Sequence, residues 1–124
     1  MMQLSAICIA VVGVIHLLPL VGVLGAERLN TLYGIAVDEP NLAVLMRHRA
    51  VLFGLLGGVM LASALHAPWR LLAYGLAWVS VVSFMLLAAS HSGLNAAVLR
   101  VVKVDWVAVV FLLVGTAALW RGTD

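Results

Sequence analysis

Charged residues leave long gaps in this sequence, and those gaps limit the possible folds more than any other feature. Four stretches contain no Asp, Glu, Lys or Arg: residues 1–26, 50–69, 71–99 and 106–120. An α-helix needs about 20 apolar residues to cross the hydrocarbon core of a bilayer. Because backbone polar groups in lipid must pair within their own segment, such stretches form helices. The spacing therefore predicts four transmembrane helices, at about 4–24, 42–65, 69–91 and 102–120.

The composition agrees with a membrane protein and excludes several other classes. The 124 residues are 65% hydrophobic and only 10% charged, whereas soluble domains are about half apolar and a quarter charged. A small soluble domain cannot bury so much apolar surface. A net charge of +2 is too small for a nucleic-acid-binding patch. We predict an all-α protein with one transmembrane domain over residues 1–124, whose partner is the lipid bilayer.

The first charge-free stretch could instead be a signal peptide, since Gly25 and Ala26 resemble a cleavage site. However, no Lys or Arg precedes it, and its apolar run of about 21 residues exceeds the 7–15 typical of a signal sequence. We expect this stretch to remain as the first helix of the mature protein.

The connections between helices predict an up-down-up-down bundle. Residues 66–68 are too few to join anything but antiparallel neighbours. In loop 1, residues 26–33 predict a short helix lying in the membrane interface, and residues 38–41 predict a cap for helix 2. Loop 3, residues 92–101, is a candidate for a similar short helix.

The distribution of basic residues predicts the orientation. The side with loops 1 and 3 carries Arg28, Arg47, Arg49, Arg100 and Lys103, and the side with both termini carries Arg70 and Arg121. Basic residues concentrate on the cytoplasmic side of membrane proteins. We expect loops 1 and 3 in the cytoplasm and both termini outside.

Helix 2 has one face of small residues with an arginine at its end. At 100° per residue, this face contains Arg47, Ala50, Gly54, Gly58 and Ala62. Small residues let helices approach closely in lipid. We therefore expect this face to pack against another helix and Arg47 to point inward, although Arg47 could also extend to the headgroups. Arg49 points away, and we expect it to reach the lipid phosphates.

His16 on helix 1 shares a face with Ser5, Ile9 and Gly13. Both His16 and Arg47 lie roughly 9–12 Å below the same membrane surface. Pro19 removes one backbone hydrogen bond nearby. Either His16 is a neutral side chain bonded to a serine or to a freed carbonyl, or it handles a ligand or a proton.

Asp105 lies near the same end of helix 4, either as its N-cap or as a partner for Arg47. The candidate ligand-binding residues are therefore His16, Arg47 and Asp105. We predict no metal and no cofactor: Cys8 is the only cysteine, and no phosphate loop, catalytic triad or metal-spaced cluster is present.

Three segments carry a resemblance to a known family: residues 27–34, 38–42 and 46–57. With these segments the chain resembles a family of small, four-helix bacterial inner-membrane proteins, similar to the wider DoxX-like group. The resemblance implies a location in the bacterial inner membrane and no established activity. Some members carry an automatic phosphopantetheine adenylyltransferase name. The sequence argues against that activity, because the chemistry belongs to a soluble α/β nucleotide-binding fold.

The function that we expect is that of a non-enzymatic accessory or interaction subunit, as a homo-oligomer or with a membrane protein partner. The alternative is a membrane pocket that binds an anionic or lipid-like ligand through Arg47 and His16, with or without enzymatic activity. The two hypotheses differ in whether polar side chains converge on a cavity.

Overall fold

The computed structural model describes residues 3–20, 30–31, 33–34 and 39–122. Within these residues the chain is all-α and has no strand, as predicted. The four helices are α1 (Leu4–Leu17), α2 (Pro40–Leu65), α3 (Arg70–Ala89) and α4 (Ala96–Arg121). A 3₁₀ turn, Ala67–Trp69, joins α2 to α3.

The start of α2 is fixed by Glu39. Its carboxylate accepts hydrogen bonds from the backbone N–H groups of Asn41, at 3.0 Å, and Leu42, at 2.8 Å. These bonds satisfy two of the unpaired N–H groups of the first turn, and they hold the pKa of Glu39 below its usual value. The cap predicted here is confirmed for Glu39, whereas Asp38 lies outside the described residues.

The start of α4 differs from the prediction. Asn95 caps the helix by accepting a hydrogen bond from the N–H of Val98 at 2.8 Å, so α4 begins at Ala96 and not near residue 102. The segment predicted to hold a separate short helix forms the first turns of α4. Because Arg100 and Lys103 are exposed, their charges do not interrupt the helix. Asp105 therefore lies in the third turn and is not an N-cap.

The end of α1 also differs from the prediction. The α-helix ends at Leu17 and continues as a 3₁₀ turn over residues 18–20, where Pro19 has no N–H to donate. The predicted end at residue 24 lies outside the described residues, as does most of the short helix predicted in loop 1. Of that helix, the structure describes helical backbone at Asn30, Thr31 and Tyr33, followed by Gly34 with a φ of 66°.

A close helix contact joins α1 to α2 through glycines. A Cβ atom at Gly57 would lie 2.8 Å from the carbonyl oxygen of Gly13. Of the predicted packing residues, Ala50 is buried and Gly54 faces Leu20, and Ala62 is half-buried. Gly58 does not meet another helix in the described part of the chain: a Cβ there would have no neighbour within 4 Å. The contact is centred one residue earlier, at Gly57.

Arg70 ties three helices together at the end of the molecule where α1 begins. Its Nε donates to the carbonyl oxygen of Ser63 and its Nη2 to that of Ala64, both at 3.1 Å. Its Nη1 donates to Gln3 Oε1 and, at 3.4 Å, to Ser5 Oγ. The side chain is buried, and its charge lies at the C-terminal end of α2, where the helix dipole favours a cation.

Further contacts place the start of α1 beside the start of α3 and the last third of α4. The Tyr74 hydroxyl donates to the carbonyl oxygen of Ser5 at 2.6 Å. Gly115 of α4 lies against both Cys8 and Tyr74, where any side chain would collide. At the opposite end of the molecule, Leu20 contacts Gly54 of α2.

The outward surfaces of the four helices are apolar. Exposed large hydrophobic side chains occur along each helix and include Ile7, Val14, Val44, Leu45, Leu55, Leu71, Val79, Leu86, Val110 and Leu113. By length and composition, two helical segments in the described part of the chain could cross a membrane, Pro40–Leu65 and Ala67–Ala89; the apolar segment Leu4–Leu20 is shorter.

Candidate functional site

A partly enclosed cavity of about 220 Å³ lies between the helices, and all four of them line it. Most of its wall is apolar. The polar or charged lining residues are His16, Tyr33, Arg49, Ser80, Arg100 and Asp105. Such a lining, mostly apolar with a few converging polar groups, is typical of small-molecule binding sites.

His16 forms one wall of the cavity and has fixed hydrogen bonds. Its Nδ1 lies 3.0 Å from the carbonyl oxygen of Val12, and its Nε2 lies 2.8 Å from Ser80 Oγ. Because a carbonyl oxygen only accepts, Nδ1 must carry a hydrogen, and in the neutral ring Nε2 accepts from the serine hydroxyl. The predicted bond of His16 to a serine is confirmed, whereas the carbonyl that it contacts, that of Val12, is not the one left free by Pro19. Ser5, Ile9 and Gly13 are buried with it, as expected for one inward face.

The bond between His16 and Ser80 joins α1 to α3, so its loss should destabilise the protein. We expect Ser80→Ala to lower the free energy of unfolding by about 1 kcal/mol, since interhelical hydrogen bonds in membranes contribute roughly 0.6–1.7 kcal/mol. Ser83→Ala is the matched control, because Ser83 Oγ donates only to the carbonyl of Ser80 in the same helix. Unfolding of both variants in mixed detergent micelles measures the difference. Equal losses would mean that the His16–Ser80 bond contributes nothing specific.

Arg49 is half-buried and lies between two aromatic rings. Its Nη1 donates to the hydroxyl of Tyr33, and its Cζ lies 5.2 Å from the Tyr33 ring centre and 4.5 Å from that of Phe53. Cation–π contacts at these distances offset part of the cost of removing the charge from water. They leave the other N–H groups of the guanidinium without a hydrogen bond to any described residue.

Tyr33 is held in place from α4. The side-chain amide of Asn95 donates to the carbonyl oxygens of Tyr33, at 2.8 Å, and Gly34, at 3.3 Å. Asn95, which caps α4, therefore also positions Tyr33, whose ring contacts the guanidinium of Arg49. This link depends on tertiary contact between loop 1 and α4, and no local sequence pattern signals it.

Asp105 and Arg100 face the cavity from α4. Asp105 is half-buried, and the positive charge of Arg49 acts on its carboxylate. Among the described residues, no group forms a hydrogen bond or an ion pair with the Asp105 carboxylate. Arg100 is exposed, as is Leu18, and these two residues mark where the cavity reaches the surface.

The expected orientation of the two arginines of α2 is reversed. Arg47 is exposed and does not line the cavity, whereas Arg49 does. The cause is the position of the helix contact: Arg47 shares its face with the exposed Gly58, and Arg49 precedes Phe53 and Gly57 at intervals of four residues. Of the predicted binding residues, the structure brings His16 and Asp105 to the cavity and leaves Arg47 outside it.

A metal site requires three or more grouped His, Cys, Asp or Glu side chains. Among the side chains that the structure describes, no three of these residues are grouped as metal ligands. Comparison of the chain with protein-family models, with curated proteins and with solved structures finds no match.

Proposed function

We propose that this protein is a non-enzymatic, multi-pass membrane protein that binds the anionic headgroup of an amphiphile in the cavity between its helices. The observation that carries the binding proposal is the half-buried charge of Arg49 in a mostly apolar cavity. Ionisable groups within a membrane are costly and mark functional sites. An anionic ligand would supply acceptors for the N–H groups of Arg49 that bond to no residue in the described part of the chain.

Three observations support the placement in a membrane. Two helical segments are long and apolar enough to cross it. The outward faces of α1 and α4 are also apolar, although α1 is short. Finally, α4 has 26 residues and a length of about 39 Å, more than the hydrocarbon thickness. An exposed apolar surface around the whole molecule would be unstable in water.

The residue contacts support an up-down-up-down bundle. The start of α1 lies beside the start of α3, at Tyr74, and beside the end of α4, at Gly115. The end of α1 lies beside the middle of α2, at Gly54, and the residue before α1, Gln3, is linked through Arg70 to the end of α2, at Ala64. Helices that follow one another in the chain therefore run in opposite directions in the proposed bundle, with both termini on one side.

For the orientation, we propose loops 1 and 3 in the cytoplasm and both termini outside. Arg70 is buried, so it adds nothing to the surface charge of the outer end, which strengthens the asymmetry of exposed basic residues. The location in a bacterial inner membrane and the DoxX-like relationship rest on the sequence resemblance alone.

Replacing each of the two arginines of α2 with alanine in turn tests the binding proposal. We expect Arg49→Ala to weaken binding of oleoyl lysophosphatidylethanolamine, through its phosphate, at least tenfold, because a hydrogen bond to a charged group contributes about 1.5–3 kcal/mol. Arg47→Ala, the matched control on the exposed face, should change binding less than twofold. Native mass spectrometry of the detergent-solubilised protein measures the bound fraction. Equal losses would place the lipid on the protein surface and contradict the proposal.

A further inference from the structure

The cavity contains two opposite charges that do not pair with each other. Arg49 and Asp105 both line it, yet neither forms an ion pair with the other, and the Asp105 carboxylate makes no hydrogen bond to a described residue. A carboxylate accepts several hydrogen bonds, and a guanidinium has five N–H donors, of which Tyr33 takes one. Both groups therefore retain bonding capacity toward the same space.

A headgroup that carries only negative charge would bind Arg49 but would leave Asp105 without a partner. A phosphate bound to Arg49 would place negative charge in the same small cavity as Asp105, and like charges in a low-dielectric space repel strongly. A headgroup with its own cation would remove that repulsion and would satisfy the carboxylate. Asp105 thus selects against ligands that Arg49 alone would accept.

We propose that the ligand of this cavity is a phosphate–ammonium zwitterion, the phosphoethanolamine group of an aminophospholipid, with its phosphate on Arg49 and its primary ammonium on Asp105. This proposal rests on the binding function proposed above. Arg100, which is exposed at the opening, is placed to contact a second phosphate oxygen.

The size of the cavity fits this headgroup. An apolar cavity of about 150 Å³ holds a benzene ring, so about 220 Å³ accommodates roughly nine non-hydrogen atoms. That is enough for the phosphoethanolamine group. The acyl chains would leave through the opening beside the exposed Leu18.

The chemistry also favours a primary over a quaternary ammonium. A primary ammonium donates three hydrogen bonds, which the Asp105 carboxylate can accept, whereas a trimethylammonium donates none. Quaternary ammonium groups are usually held by aromatic rings. Here Tyr33 and Phe53 already hold the guanidinium of Arg49, so these rings cannot form such a cage.

Lipid competition with a single charge-removing variant tests the proposal. The protein is reconstituted into nanodiscs of equal parts dioleoyl phosphatidylethanolamine, phosphatidylglycerol and phosphatidylcholine, and the lipids retained on extraction are measured by native mass spectrometry. We expect phosphatidylethanolamine to be retained at least tenfold over each of the others. Asp105→Asn, which preserves the shape but removes the charge, should reduce this preference to less than twofold while the lipid retained through Arg49 persists.

The outcomes separate this proposal from the one on which it rests. The zwitterion proposal would be overturned if Asp105→Asn kept the same lipid preference. It would also be overturned if the wild-type protein retained phosphatidylglycerol or phosphatidylcholine to the same extent as phosphatidylethanolamine. Either result would leave Arg49-dependent binding in place. Retention that does not depend on Arg49 would overturn both. Displacement of the lipid by soluble phosphoethanolamine would support the same chemistry with a free metabolite as its source, and lack of displacement would support the membrane lipid.

Discussion

Replacing Gly57 with leucine is expected to separate α1 from α2, whereas the same replacement at Gly58 should leave the fold intact. A Cβ at Gly57 would lie 2.8 Å from the carbonyl oxygen of Gly13 and 2.9 Å from the side chain of Leu17. Overpacking of this kind costs about 3 kcal/mol, and more where backbone atoms must move. We expect Gly57→Leu to give much less monodisperse protein. We also expect it to unfold at a much lower fraction of denaturing detergent in mixed micelles.

Gly58→Leu is the control because both substitutions add the same apolar volume to adjacent residues. A Cβ at Gly58 has no neighbour within 4 Å, so the added side chain would point away from the other helices of the chain. A loss of stability at Gly58 equal to that at Gly57 would mean that the exposed face of α2 packs against a second subunit.

Arg70→Ala is expected to destabilise the end of the molecule where α1 begins. The buried guanidinium donates to the carbonyl oxygens of Ser63 and Ala64 and to the side chain of Gln3. Its removal leaves these buried acceptors without donors. Since hydrogen bonds to charged groups contribute about 1.5–3 kcal/mol, we expect a loss of about 3 kcal/mol in the free energy of unfolding.

The control for Arg70 is Arg121→Ala, which removes the same charge from an exposed position at the same end of the bundle. We expect Arg121→Ala to change the unfolding free energy by less than about 0.5 kcal/mol, as is usual for surface substitutions. Arg70→Lys should recover part of the loss, because an ammonium retains the charge but lacks the fork that reaches two carbonyls. Unfolding followed by circular dichroism would measure all three variants, and a tolerated Arg70→Ala would show that the buried hydrogen bonds are not needed for stability.

The helices and the inward face of α1 could be predicted from the sequence because both depend on local pattern. The gaps between charges located α2 and α3 closely, and the spacing of Ser5, Ile9, Gly13 and His16 identified the buried face. The start of α4 differs from the prediction because Arg100 was expected in a loop, whereas a helix can extend such a side chain to solvent.

The rotation of α2 about its axis could not be predicted. In a soluble helix, polarity separates the inward from the outward face, but in a membrane both faces are apolar, and only small residues indicate contact. Gly57 and Gly58 are adjacent, so either can centre the contact. If the contact is centred on Gly58, Arg47 points inward and Arg49 outward. The observed contact is centred on Gly57, so Arg49 lines the cavity and Arg47 is exposed. The burial of Arg70 was also missed, since it depends on where the ends of α1 and α2 meet.

The attachment of α3 differs in kind from that of the other helices. Its single glycine, Gly75, faces open space, and its side chains Tyr74, Trp78 and Ser80 reach neighbouring helices through hydrogen bonds. Three such bonds contribute about 2 kcal/mol in total, and Ala73, Ala77 and Val81 of α3 are buried in the core shared with the other helices. Because Ser80 and Phe84 form part of the cavity wall, the contacts that hold α3 against its neighbours also set the width of the cavity.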